Sequence, residues 1–130
     1  MEEIFKIDIP LYRERLHVFF GSREECADAL RADGMEEWRI NSWLEHTKNC
    51  DGLYSQNDCY RLLWVYRIPE SVAEYVDLVH EVEHAAFYML KDKGLIHTEE
   101  SDEAYAYLMG WLYGEIMVFI NSISEKNERH

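Results

Sequence analysis

At 130 residues the chain is the size of one domain, and with 48% hydrophobic and 14% aromatic residues it has the material for a core rather than the composition of a disordered tail. Its formal net charge of -13, from 26 acidic against 13 basic residues, argues against nucleic acid as a partner, because phosphate contact needs clustered Lys and Arg. The acidic start, MEEIFKIDIP, has no apolar signal region. No uncharged apolar run reaches the roughly 18 residues of a spanning helix, the nearest being interrupted by Glu115. The expectation is a cytoplasmic chain with no membrane partner, its oligomeric state left open. Cys26, Cys50 and Cys59 form no C-x-x-C and no even set, so free thiols are expected, with Cys50 and Cys59 flanking a turn across which oxidation would pair them.

Taken in order, residues 4–20 read as two strands broken at Pro10 and ended by Gly21. Ser22-Arg23-Glu24-Glu25 is a capping box that opens a short helix through Asp33, stopped by Gly34. Residues 35–48 fit a helix or an extended segment equally: Met35, Trp38, Ile40, Trp43 and Leu44 approximate one helical stripe. Turns are expected at 49–52 and at Asn57-Asp58, leaving Gly52–Ser55 no more than a strand fragment. Arg61–Ile68 is the strongest strand, aromatic and branched, closed by Pro69. A second capping box, Ser71 to Glu74, opens a helix from Val72 to Asp92 with Gly94 beyond it. A last helix is expected from Ser101 or Asp102 to about Asn121, then a frayed polar end over Asn127–His130. The fold class is α+β: a small antiparallel or mixed sheet with one central helix and a C-terminal helix.

The central helix carries His80-Glu81-Val82-Glu83-His84, an H-E-x-x-H. A chain of this composition in random order holds that pattern roughly 0.04 times. Four residues apart on a helix, the two imidazoles stack on one face and suit a shared divalent cation, with Glu81 in the same arc as general base for an attacking water. Asp77, His80, Glu81, His84, Glu74 and Tyr88 fall within about 120° of the helix circumference, and most of the rest is apolar. Glu83 points away from the arc.

Zinc catalysis needs three protein ligands and an open position. The metzincin continuation fails, with Phe87 in place of its glycine and Leu90 in place of its third histidine. The remaining candidates are Glu103 first, then His97, Glu99, Glu100 and Asp102. Glu103 opens the last helix on a stripe with Tyr107, Gly110 and Gly114, whose small residues would let two helix axes approach closely. Asp77 is a candidate to hold a ligand histidine from behind, and Tyr105, Tyr107 or His97 to donate to an oxyanion.

H-E-V-E-H followed after eighteen residues by Glu103-Ala104-Tyr105-Ala106 resembles the gluzincin branch of the zincin metallopeptidases. The wording V-H-E-V-E-H-A-A, then D-E-A-Y-A-Y-L-M-G-W, is similar to small metallopeptidase-like proteins encoded by phages and prophages. The resemblance covers residues 61–121. It implies a single minimal zincin-like domain over 1–130, Zn²⁺ held by His80, His84 and a following-helix Glu (Glu103), and a peptide or protein substrate. It further implies a strand before the active helix that aligns the substrate backbone, for which Arg61–Ile68 is the counterpart. The alternative from another class is a non-catalytic zinc-binding or protein-interaction protein.

Overall fold

The computed structural model describes residues 3–128. The class is α+β, with a mixed four-stranded sheet and four α-helices. The chain divides into two compact units, Met1–Glu81 and Val82–His130, and the boundary falls inside one continuous helix.

The first unit is built on strands β1 (Phe5–Ile9), β2 (Glu14–Phe20), β3 (Gly52–Asn57) and β4 (Tyr60–Val65), in the spatial order β1-β2-β4-β3. β1 and β2 are antiparallel, joined by a short 3₁₀ turn at Pro10–Tyr12, where proline's fixed φ ends the first strand. β2 and β4 are parallel, so the chain must cross over between them, and helices α1 (Arg23–Ala32) and α2 (Glu37–His46) lie in that connection. One face of the sheet (Phe19, Leu62, Trp64) joins Cys26, Ala27, Leu30, Ile40 and Trp43 of the two helices in a buried core. Trp43 meets Trp64 edge to face at 5.4 Å. Both halves of the Ser22–Glu25 capping box form, and Gly34 closes α1 at φ 93°. Residues 35–48, which the pattern left open, contain a helix whose buried Ile40 and Trp43 supply the deciding contacts.

β3 differs from expectation. It is a full six-residue edge strand, although Ser55, Gln56 and Asn57 are poor strand formers. Each of its residues is paired with β4, from Gly52 opposite Val65 to Asn57 opposite Tyr60, and that ladder overrides propensity. Asp58 turns the hairpin at φ 53°. Cys26, Cys50 and Cys59 are free thiols, as expected, and the hairpin separates Cys50, ahead of β3, from Cys59, in the far turn. β4 is shorter than expected and interior, with neighbours on both sides.

Helix α3 (Val72–Asp92) has the expected bounds and Gly94 at φ 86° past its end. Its first half closes the first unit and its second half opens the second. There Val82, Ala85, Ala86, Met89 and Leu90 of α3 are buried, as are Tyr105, Leu108, Leu112, Ile116 and Ile120 of α4 (Asp102–Glu128). α4 continues past the expected Asn121, and the fraying expected over Asn127–His130 is not found at Asn127 and Glu128, which are helical; Arg129 and His130 lie outside the described residues. By length and composition α4 is apolar enough to cross a membrane, and most of that window is exposed or half-buried. Gly110 and Gly114 do not serve close helix packing: a Cβ at either would meet nothing within 4 Å.

Candidate active site

The start of α3 is fixed by Glu74. Ser71 Oγ accepts from the Glu74 amide at 3.2 Å while Glu74 Oε1 accepts from the Ser71 amide at 3.1 Å, completing the capping box. The same carboxylate accepts from Tyr66 Oη at 2.7 Å and from both Nε and Nη2 of Arg67, tying the helix to the segment that leaves β4. The Arg67 guanidinium holds Glu74 well below the usual carboxylate range.

Two turns on, the Glu81 carboxylate accepts a hydrogen bond from the backbone amide of Tyr54, 27 positions away in sequence. Tyr66 N donates to Asp51 O, so the alternation of the antiparallel ladder puts Tyr54, opposite Leu63, at a position whose N–H turns away from β4. That amide lies on the outer edge of the sheet, and Glu81, itself buried, caps it. The polar arc of α3 therefore has two rims. Glu74 faces inward onto the segment that leaves β4 and Glu81 onto the edge of β3, whereas Asp77 and His80 are exposed and His84 is half-buried, its ring 6.3 Å from that of Tyr88. The apolar remainder of the helix is less covered than its composition suggests: Val72 and Val76 are exposed. Glu83 is exposed, off the arc.

A cleft of about 210 Å³ is lined by Asp51, Gly52, Val65, Asp77, His80 and Glu81. It brings three of the sequence candidates (Asp77, His80, Glu81) beside the outer edge of β3. Three carboxylates against one imidazole favour a cationic occupant. The face of the sheet that carries Tyr54 also carries Arg61, buried, its guanidinium donating to Glu14 at 3.0 and 3.3 Å, to Tyr54 Oη at 3.1 Å and to Gln56 Oε1. That network fixes the floor under the edge strand.

The other candidates lie in the second unit. Glu103 is exposed in the first turn of α4, and Tyr107 is exposed one turn later. His97 Nε2 is 2.7 Å from Asp102 Oδ1, and its ring stacks on Tyr105 at 4.3 Å. Tyr105 Oη donates to Leu95 O at 2.5 Å. His97 and Tyr105 thus close the loop between α3 and α4. Ser101 Oγ contributes to the same loop by donating to Ile96 O and accepting from the Thr98 amide.

Two imidazoles one turn apart on a single regular helix, with carboxylates alongside, are donors of the type zinc takes. Among the described residues no group of three or more His, Cys, Asp or Glu side chains is gathered closely enough to hold a metal ion. Asp51, Gly52 and the Tyr54 amide carry no signal in the sequence beyond the turn at 49–52. No family model matches the chain, and neither a curated protein nor a solved structure is significantly similar to it.

Proposed function

We propose that the protein is a zinc-dependent peptidase, with His80 and His84 of α3 among the metal ligands and Glu81 as general base. What carries this reading is the cleft in which His80, Glu81 and the outer edge of β3 stand together. Zinc held by that donor set would supply Lewis acidity at the scissile carbonyl. Glu81 takes the proton of the attacking water and delivers it to the leaving amine. Asp77, one turn before His80, accepts the second ring N–H of a ligand histidine and fixes its orientation. Substrate alignment falls to β3 rather than to the strand expected from sequence: β4 has both edges paired, whereas an extended peptide can add to the outer edge of β3 by backbone hydrogen bonds.

The test is a matched pair of preparations cleaving a peptide library. Wild type is expected to cleave and to stop on addition of a chelator, and Glu81→Gln to keep its zinc while losing cleavage. Cleavage by Glu81→Gln at the wild-type rate would remove Glu81 from the chemistry.

One observation supports a second reading, a non-catalytic interaction protein. α4 exposes Tyr107, Trp111 and Val118 beside the open Gly110 and Gly114, an apolar face available to another macromolecule. Wild type that holds one zinc per chain and cleaves nothing in the library would select it.

A further inference from the structure

We propose that Glu81 is a displaceable plug on the outer edge of β3: a polypeptide pairing with that edge takes over the Tyr54 amide and thereby frees the Glu81 carboxylate for the cleft. The inference rests on the peptidase reading above and adds to it a coupling between substrate docking and release of the base.

Three observations meet here. The Tyr54 N–H points out of the sheet by the register of the hairpin, so it is one of the groups to which an added strand must bond. Glu81 holds that N–H. Gly52, the next residue of β3 with outward backbone groups, lines the same cleft as His80 and Glu81, so a strand laid along β3 passes over His80. A carbonyl of the incoming chain and the Glu81 carboxylate cannot both occupy the acceptor position of one N–H. Docking therefore has to evict the carboxylate, and eviction leaves it in the cleft beside His80. Without a strand on β3, the base remains bonded to the edge.

The coupling makes an unusual prediction, that removing the general base tightens substrate binding. The experiment uses the full chain and a ten-residue peptide of alternating Thr and Val, followed by amide-resolved NMR. Glu81→Ala and Glu81→Gln both lack the base, so neither consumes the peptide. Glu81→Gln keeps an oxygen acceptor for Tyr54, whereas Glu81→Ala removes it. Glu81→Ala is expected to bind the peptide about tenfold more tightly than Glu81→Gln, as befits loss of one competing hydrogen bond. The Tyr54 amide of Glu81→Ala should exchange fast alone and become protected when the peptide is bound. Equal affinities, or a Tyr54 amide unaffected by the peptide, would overturn the plug while leaving the peptidase reading standing. No binding to either variant would overturn strand docking on β3, and the plug with it. Should Glu81→Ala fail to fold, Glu81→Leu, which fills the buried position without offering an acceptor, takes its place with the same two readouts. Affinity equal to that of Glu81→Gln would count against the proposal.

Discussion

The Glu81 carboxylate caps the outward amide of Tyr54, so the residue placed at the chemical centre by its motif is also a fastener between a helix and a strand edge. The two roles separate in the stability of the variants. Glu81→Ala leaves a buried N–H without its acceptor and should lose about 1–3 kcal/mol. Glu81→Gln, with an amide oxygen in place, should lose less than half as much. Urea denaturation measures both, and equal losses would mean that the hydrogen bond contributes nothing.

Buried Arg61 is paired with half-buried Glu14 beneath the same strand. Arg61→Ala strands the Glu14 carboxylate and should cost about 3–5 kcal/mol, whereas the double change Arg61→Leu with Glu14→Leu should recover most of that loss. A double-mutant cycle by chemical denaturation checks the difference.

Gly110 and Gly114 stand mid-helix with open space where a Cβ would go. Each change to Ala should therefore raise stability by about 0.4–1 kcal/mol, through helix propensity and a less disordered unfolded chain. Had the two glycines notched a helix contact, as their spacing suggested, the sign would be reversed. Thermal denaturation of the two single variants decides it.

Acid should act in two windows. Burial lowers the His17 pKa below its ordinary 6.5, its ring lying on Tyr60 at 3.8 Å with Nδ1 on the Arg61 carbonyl. A depressed pKa stabilises the fold fully above the unfolded value, and that contribution is lost as pH falls below about 6.5 toward the folded value. Glu74 is depressed from 4.5 chiefly by Arg67, so its contribution is complete above that value and is lost below it. His17→Phe, which keeps the stack, should flatten the stability profile just below pH 6.5, and Glu74→Gln should flatten it only below 4.5. Denaturant midpoints measured across pH would show both.

Local chemistry made much of this fold readable. Two capping boxes, Ser22 with Glu25 and Ser71 with Glu74, set helix starts that the structure reproduces, and Gly34 and Gly94 set two ends. β3 was hidden because its Ser, Gln and Asn gain strand structure only from the β4 ladder, a non-local term. The interior position of β4 was hidden for the same reason, since strand order follows from a crossover and not from composition. At the site, periodicity placed Asp77, His80, Glu81 and His84 on one arc of α3, but it could not divide that arc into an inner and an outer rim. Glu81 is drawn inward by a backbone amide, and a backbone amide leaves no trace in residue identity.

Zinc stoichiometry tests the central claim most directly, by elemental analysis of purified wild type beside His80→Ala, His84→Ala and Glu81→Gln. The expected result is one zinc per chain in wild type and Glu81→Gln, with loss in the two histidine variants. Zinc at full occupancy in His80→Ala, or none in wild type refolded with excess zinc, would contradict the account.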